Sequence, residues 1–382
     1  MNQTAEISLN HITKKLKVLP YAYALWRMPK SSECVFIVSL TPPVQKKLPI
    51  GQLSTGFVFN RFDENHPVAP YHISADLLFR GNDLTINSDV SSSQVDKFIE
   101  EVKSLKDVSC KTDFHKASLT NSDSFENLVE QAVSEIKSNR FEKVVLARHE
   151  DQYLPEGFSL LDYFNRISEK YPNAFVSLVH IPGENIWIGA SPELLMSDNG
   201  SQFRTIALAG TKSLLPNQTL SEIAWTQKEI EEQAFVSRYI INCFKKIRLR
   251  EFDEKGPKTV QAGNLAHLKT EFVVDYEALG FENLSEQMLE LLHPTSAVCG
   301  MPLDAAKKYI SDSESFDRSF YSGFLGPVNF DGLTTLFVNL RCARIKERVI
   351  RFYAGAGITE DSIPSHEKEE TILKMSVLKQ LL

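Results

Sequence analysis

The chain has 382 residues, 42% of them hydrophobic, so it can bury a substantial core and is not expected to be disordered. Its formal net charge of −7 and its lack of a basic run argue against a nucleic-acid-binding surface. No apolar stretch reaches the roughly 18 residues that cross a bilayer, and the first residues lack the apolar core of a signal peptide, so we expect a cytoplasmic protein without a membrane partner.

The first third of the chain gives few distinctive signals. Residues 35–84 alternate short apolar runs with turn residues, a pattern typical of strands. The polar and charged stretch that follows predicts a linker or boundary within 90–120. Next, apolar residues at helical spacing predict a helix from Phe125 to Ile136.

Beyond residue 140, short apolar runs separated by turn residues predict further strands. These cover residues 143–147, 174–180, 186–189 and 203–209. One long helix is predicted over 221–246, opened by the capping box Thr219-x-x-Glu222, and another over 364–381. Paired strands beside long helices predict an α+β fold of helices layered on antiparallel sheets.

Each of these two long helices carries a Glu-x-x-Glu pair. Glu229 and Glu232 belong to the first helix, while Glu367 and Glu370 share a face of the second with Lys374. If the two faces met, four carboxylates would repel one another unless a cation lay between them. Oxygen ligands without His or Cys favour Mg²⁺. For either pair alone, a solvated helix face is the commoner explanation.

Two residues are candidates for acid–base chemistry. Lys143 opens a strand with apolar neighbours on both faces, where burial would help it to accept a proton, although an edge-strand lysine with its ammonium in water is the alternative. Glu193 follows Ser191-Pro192 at a predicted turn and precedes an apolar run. Such surroundings would raise its pKa and let it donate a proton; a glutamate that merely starts a helical turn is the alternative.

Other residues are suited to binding an anion. Arg341 is a cation on an otherwise apolar strand and needs an anionic partner if it is buried, either a structural ion pair or a ligand. Gly210-Thr211 and Gly355-x-Gly357 each follow a predicted strand. Glycine there allows backbone amides to approach a carboxylate closely, but a tight turn explains each segment equally well.

From residue 122 to the end, a series of motifs in this order resembles the chorismate-utilising enzyme family. The motifs are FEKVVLAR, IGASPELL, ALAGT, KEIEEQAFV, LHPTSAVCGMP, FYSGFLGPV, RCARI, YAGAGI and EKEETILK. The resemblance implies one chorismate-binding domain over 1–382, with a catalytic core at 122–382 and a looser match before 120. It also implies layered helices and antiparallel sheets in two duplicated halves, with the cleft between them.

The family's pattern also implies a reaction. Members that add water resemble this chain in carrying lysine at the position of Lys143, whereas relatives that add an amine usually carry glutamine. The resemblance therefore assigns Lys143 as the base that deprotonates a water attacking C2 of chorismate. It assigns Glu193 as the acid that protonates the departing C4 hydroxyl, which gives isochorismate. This product would feed menaquinone, siderophore or salicylate synthesis, depending on the neighbouring enzymes.

By the same resemblance, Mg²⁺ is the implied cofactor, with Glu232 and Glu370 as direct ligands and Glu229 and Glu367 close by. The family's substrate contacts fall on eight positions of this chain. They are Gly210, Thr211, His267, Ala297, Tyr321, Arg341, Gly357 and Lys374. Taken without the resemblance, His267 is by default a satisfied core or turn histidine.

Two other functions stay open. A salicylate synthase would form isochorismate and then eliminate pyruvate in the same pocket, although the small apolar Ala297 and Val298 resemble isochorismate synthases better. A non-catalytic chorismate-binding subunit would lack Lys143, Glu193 or the acidic pairs, all of which are present. Since water as the nucleophile needs no ammonia donor, we expect no amidotransferase partner. A monomer is the default expectation.

Overall fold

The computed structural model describes residues 12–45, 49–62, 70–105, 125–214, 218–262, 265–281 and 283–382. Within these ranges helices lie against two large antiparallel sheets, which confirms the predicted α+β class. No helix of the described ranges is both long enough and apolar enough to span a bilayer.

Along the described residues, groups of successive strands belong first to one sheet and then to the other. In chain order they are β1 (Ala22–Arg27), β2 (Cys34–Ser39), β3 (Val44–Gln45), β4 (Gly56–Asn60), β5 (Tyr71–Ser74), β6 (Leu77–Arg80), β7 (Asp83–Ile86), β8 (Lys143–Tyr153), β9 (Phe175–His180), β10 (Ile186–Ser191), β11 (Leu194–Asp198), β12 (Gln202–Ser213), β13 (Asp253–Ala262), β14 (Leu265–Asp275), β15 (Gly300–Met301), β16 (Phe324–Val328), β17 (Thr334–Val338), β18 (Cys342–Lys346) and β19 (Val349–Ile358).

The larger sheet has the strand order β15-β8-β19-β18-β10-β9-β1-β2-β6-β7, and the smaller sheet has the order β13-β14-β12-β11-β17-β16-β4-β5-β3. The strands that precede residue 105 therefore extend both sheets. The single domain over 1–382 and the duplication of its halves stay predictions.

The helices cover the outer faces of the sheets. They are α1 (Ser92–Ser104), α2 (Phe125–Lys137), α3 (Leu160–Lys170), α4 (Gln227–Lys246), α5 (Tyr276–Leu279), α6 (Leu284–Leu292), α7 (Leu303–Ser313) and α8 (Pro364–Lys379). Helix α4 packs on β12, α8 packs on β19, and α2 packs on α8. Helices α2 and α8 confirm the helices predicted from Phe125 and over 364–381.

One predicted helix and the predicted linker were partly wrong. The helix expected over 221–246 begins at Gln227, because Thr226 caps it and donates its backbone N–H to the Glu229 carboxylate at 2.7 Å. The predicted capping box instead opens the short 3₁₀ helix Leu220–Glu222. In the stretch expected to be a linker, residues 92–104 form α1, whose buried apolar face anchors it in the core. The remainder of that stretch, from 106, lies outside the described residues.

Two of the points at which the chain passes from one sheet to the other lie side by side. Pro192 and Glu193 join β10 of the larger sheet to β11 of the smaller. Arg341 ends the connection from β17 back to β18, so the prediction that it lies on a strand was wrong. Hydrogen bonds tie the crossings together: Ala190 N–H donates to the Arg341 carbonyl at 3.0 Å, and Val338 N–H donates to the Glu193 carbonyl at 3.0 Å. Glu193 and Arg341 are thereby fixed side by side where the sheets meet.

Aromatic rings fill the space between the sheets next to these crossings. Phe59 stacks on Phe320 with ring centroids 3.9 Å apart, and Trp187 packs edge-on against Phe320. Trp187 also stacks on Tyr353, which stacks on Tyr321 at 5.4 Å. Stacked and edge-to-face rings restrain one another's orientation. This row therefore holds the Tyr321 ring in a fixed position at the junction of the sheets.

Candidate active site

A cavity lies at the junction of the sheets, between α4, α8 and the strands β8, β12, β14 and β19. It encloses about 670 Å³, counting the part that is open to solvent. Every site residue expected from the sequence lines this cavity except Glu229 and Glu367. The assigned roles of these residues stay predictions, but the chain places the candidate base, the candidate acid and the anion-binding residues around one volume.

Glu193 is a buried carboxyl facing three cations. Its residue is 5% exposed, and none of the described residues hydrogen-bonds its side-chain oxygens. Burial raises the pKa of Glu193 to about 7, while the positive charges of Arg341, Lys143 and Lys374 oppose this rise. Near neutral pH the group can therefore hold a proton and release it, as a general acid must.

Lys143 is the first residue of β8, and its side chain passes the neighbouring strand β19 at Gly357. Gly355 and Gly357 lie within β19, so the prediction that they follow a strand was wrong. A Cβ atom at position 357 would lie 2.9 Å from Lys143 Cε and 3.3 Å from Nζ, so a larger residue there would push the end of the lysine aside. The amine interacts electrostatically with Glu193 and Glu232 but makes no ion pair with a described carboxylate. Lys143 thus presents a buried nitrogen to the cavity without a fixed partner.

Besides Glu193, two glutamates line the cavity, Glu232 of α4 and Glu370 of α8. Burial raises the pKa of Glu232, and the nearby charge of Glu370 raises it further against the influence of Lys143. Burial would also raise the pKa of Glu370, but Lys374 lies 2.5 Å from its Oε1 and holds the pKa below its usual value. Lys374 also donates a hydrogen bond to the Gly355 carbonyl at 2.8 Å.

Glu229 and Glu367 do not face the cavity, so the structure differs from four carboxylates around one point. Glu229 accepts the capping hydrogen bond at the start of α4 and lies 3.9 Å from Lys212 Nζ. Glu367, whose side chain is 2% exposed, accepts from Lys228 Nζ at 2.7 Å. Each outer carboxylate is held by its own partner. In the part of the chain that the structure describes, no group of three His, Cys, Asp or Glu side chains is close enough to bind a metal ion.

The donor chemistry of the cavity still fits Mg²⁺. This ion prefers hard oxygen ligands, keeps several waters and is often bound by one or two carboxylates together with oxygens of the substrate. Glu232 and Glu370 supply two such carboxylates, and their mutual repulsion would be relieved by a cation between them. Glu232 and Glu370 are therefore the residues that could hold such an ion.

His267 supplies a hydrogen-bond acceptor to the cavity. A one-residue bulge in β12 between Ala209 and Lys212 turns the Gly210 carbonyl towards β14, where it lies 2.7 Å from His267 Nδ1. Since a carbonyl can only accept, Nδ1 carries the proton. Burial lowers the pKa of His267 to about 3, so the ring is neutral, and the lone pair of Nε2 has no partner among the described residues.

The remaining predicted residues complete the walls. Thr211 and Ala297 line the cavity, as does Tyr321, whose pKa burial raises to about 12, so that its hydroxyl stays a donor. The Tyr321 hydroxyl lies close to Gly355, where a Cβ atom would be 3.0 Å from the oxygen. Sequence reasoning missed the apolar part of the wall, which Val145, Leu208 and Leu340 provide, because buried aliphatic residues look alike in a sequence.

A buried ion pair behind the cavity was also missed. Arg318 and Glu314 are each 3% exposed in their side chains and lie 2.5 Å apart. Arg318 donates to the carbonyls of Val145 at 2.7 Å and Val298 at 2.9 Å, and Glu314 accepts from Ala147 N–H at 2.8 Å. The pair joins β8 to the opposite wall. Both residues follow the end of α7, so no helical spacing in the sequence predicts their pairing.

Comparisons with known proteins agree with this fold and site. The sequence profile of the family described as chorismate binding enzyme matches residues 72–382. The chain belongs to this family of chorismate-binding enzymes, which confirms the resemblance found in its motifs.

Two curated relatives are named as isochorismate synthases. EntC of Escherichia coli strain K12 is 30% identical over 262 residues, which cover 66% of this chain and 66% of the relative. DhbC of Bacillus subtilis strain 168 is 28% identical over 277 residues, 69% of each chain. The matched segment thus spans about two thirds of the length of these relatives.

A solved structure extends the likeness to nearly the whole fold. MenF, the menaquinone-specific isochorismate synthase from Escherichia coli, superposes with a TM-score of 0.78 at 22% sequence identity. The superposition covers 97% of this chain and 91% of that chain. At this level of identity the likeness shows that the fold is shared.

Proposed function

We propose that this chain is an isochorismate synthase, which interconverts chorismate and isochorismate reversibly. The observation that carries the proposal is that Lys143 and Glu193 line one cavity together with Arg341, Lys374 and a pair of carboxylates. These are the groups needed to add water and release a hydroxyl on an anionic ring. The names of the curated relatives support the same reaction.

The charges of the cavity suit a dicarboxylate. Arg341 interacts with Glu193 and Glu370, but no described side chain forms an ion pair with its guanidinium. It can therefore bind a substrate carboxylate bidentately. Lys374 adds a second cation, and the Tyr321 hydroxyl adds a neutral donor. We assign the pyruvyl carboxylate of chorismate to these three residues.

The proposed reaction exchanges one C–O bond for another. The Lys143 ammonium first releases its proton to solvent, and the neutral amine then removes a proton from a water molecule while the oxygen of that water attacks C2 of the ring. The ring double bonds shift, the C4–O bond breaks, and Glu193 transfers its proton to the departing oxygen, which leaves as water. Water is consumed and released once, so the products are an isomer of chorismate, protonated Lys143 and ionised Glu193. Proton exchange with solvent resets both groups.

Binding of a dianion would prepare Glu193 for this role. The three cations near Glu193 hold its pKa down, and substrate carboxylates would neutralise part of their charge. Because negative charge nearby also disfavours ionisation, the pKa of Glu193 would rise further when the substrate binds. The acid is thus expected to be protonated when the C4 hydroxyl arrives.

Mg²⁺ is the proposed cofactor, held by Glu232 and Glu370. When bound, it would offset the charge of these glutamates and of the ring carboxylate and would orient the ring. His267 Nε2, which can only accept, is suited to a substrate hydroxyl. Water as the nucleophile requires no ammonia-supplying partner, and we propose that the chain acts without one.

The direct test is a product analysis. Purified protein is incubated with chorismate in the presence and absence of Mg²⁺, and isochorismate, salicylate and pyruvate are resolved by chromatography. We expect isochorismate only, and the same final mixture when the reaction starts from isochorismate. Salicylate and pyruvate in equal amounts would instead indicate a salicylate synthase. Unchanged chorismate with Mg²⁺ present would reject an enzymatic role.

A further inference from the structure

Lys228 connects the two helices that carry the Glu-x-x-Glu pairs. It is the second residue of α4, and its Nζ lies 2.7 Å from Oε1 of Glu367 on α8. The two partners differ in burial: the Glu367 side chain is 2% exposed, whereas the Lys228 side chain is 40% exposed. A buried carboxylate thus has a half-exposed lysine as its counter-ion, and that lysine has a path to solvent.

The ammonium of Lys228 also interacts electrostatically with Glu232 and Glu370. These are the two carboxylates whose donor chemistry fits Mg²⁺. Lys228 therefore supplies positive charge to the same group of carboxylates that a metal ion would neutralise. A divalent ion held between Glu232 and Glu370 would repel this ammonium.

We propose that Lys228 competes with Mg²⁺ for the carboxylates of Glu232, Glu367 and Glu370. Metal binding then drives the Lys228 ammonium away from Glu367 towards solvent. This inference rests on the magnesium site of the proposed function and adds a residue that sets its affinity. The long, flexible lysine side chain allows the exchange without movement of the helix backbone. Without metal, the same ammonium prevents an uncompensated buried charge at Glu367.

The test is the affinity of the substrate-free protein for Mg²⁺, measured by titration calorimetry with MgCl₂ at constant ionic strength. We expect Lys228→Met to bind Mg²⁺ more tightly than the wild type by at least about fivefold, the lower range of coupling between linked sites. Lys228→Arg, which keeps the charge, should stay near the wild-type value. Lys228→Gln repeats the measurement if the methionine variant fails to fold.

Lys368→Met is the matched control. Lys368 follows Glu367 directly on α8 but pairs with Glu126 of α2 at 2.9 Å. Its loss changes the net charge by the same amount without touching the cavity. We expect its Mg²⁺ affinity to equal that of the wild type. If Lys368→Met raises the Mg²⁺ affinity as much as Lys228→Met does, the effect comes from net charge alone and the proposal is overturned.

Thermal unfolding provides a second readout. Without Mg²⁺, Lys228→Met should melt below the wild type because Glu367 loses its partner, and MgCl₂ should raise its melting temperature more than that of the wild type. If the wild type binds Mg²⁺ and Lys228→Met binds it equally well or more weakly, the proposal is overturned. Lys228 would then only connect the two helices. A wild type that binds no Mg²⁺ would reject the magnesium site itself and this inference with it.

Discussion

Replacing Glu193 with glutamine should stabilise the protein at neutral pH while abolishing turnover. The residue is 5% exposed, and burial raises its pKa from 4.5 to about 7 despite three neighbouring cations. Glutamine keeps nearly the same shape but cannot ionise. The variant therefore removes both the buried charge and the proton that the proposed reaction needs.

The magnitude follows from the two pKa values. The rise from 4.5 to about 7 corresponds to roughly 3 kcal/mol, at about 1.4 kcal/mol per pH unit. Between these values the folded protein binds more protons at Glu193 than the unfolded chain does, so the free energy of unfolding falls as pH rises. This contribution is fully present below pH 4.5 and is lost as pH passes through about 7.

The assay is urea denaturation of the wild type and Glu193→Gln across pH 4 to 8. Three buried histidines, His149, His267 and His293, have pKa values lowered to about 4, 3 and 4, and they impose the opposite slope because they must become charged on acidification. Their contribution is common to both proteins and cancels in the difference. Glu156→Gln, a change at an exposed loop position, is the matched control.

As pH rises from 4 to 8, we expect the free energy of unfolding of Glu193→Gln to increase relative to that of the wild type by roughly 3 kcal/mol. Glu156→Gln should show no such increase. Turnover should fall by about 10²–10⁴-fold, the usual contribution of a general acid. A difference between the two proteins that is independent of pH would refute the assigned burial of charge. Full turnover by Glu193→Gln would refute its role as the acid.

Four further outcomes follow from the site. Lys143→Met should lower turnover by about 10²–10⁴-fold with an unchanged circular dichroism spectrum, and full activity would reject the base. Gly357→Ala places a Cβ atom 2.9 Å from Lys143 Cε, so turnover should fall by about 100-fold with little change in melting temperature, since the lysine end can shift. Arg341→Met should lower kcat/KM for chorismate by at least about 30-fold, or about 2 kcal/mol; an unchanged value would exclude contact with the carboxylate. EDTA should stop the reaction and added Mg²⁺ should restore it, whereas activity that survives EDTA would contradict the metal assignment.

Local patterns in the sequence were sufficient to predict much of the fold. The spacing of Phe125, Val129 and Ile136 indicates a helix with one buried face, and that face is buried. The same logic should have found α1, where Val95, Phe98 and Val102 recur at helical spacing. The polar residues between them favoured the prediction of a linker.

The arrangement of the carboxylates could not be predicted from spacing alone. The i,i+3 rule places Glu229 beside Glu232 and Glu367 beside Glu370, but it describes one helix at a time. The partners that turn the outer carboxylates away come from capping at Thr226 and from Lys228, which is 139 positions from Glu367. Such pairings depend on how the helices lie relative to each other, which only the folded chain determines.

The position of Glu193 beside Arg341 is a comparable case. Each residue was a candidate on local grounds, because a carboxyl at a turn and a cation on an apolar strand both need an explanation. Their adjacency arises from two crossings between the sheets that pair side by side. No local pattern predicts that pairing. Only the resemblance to the family placed both residues in one site.

The central claim is that this cavity activates a water molecule to attack the ring. The most direct measurement is the reaction of chorismate and Mg²⁺ in water enriched in heavy oxygen, with the isochorismate formed analysed by mass spectrometry and carbon NMR. The account predicts one heavy oxygen in each newly formed isochorismate, bound at C2. Isochorismate that forms without the label would show that the hydroxyl migrates within the substrate, and it would contradict the roles assigned to Lys143 and Glu193.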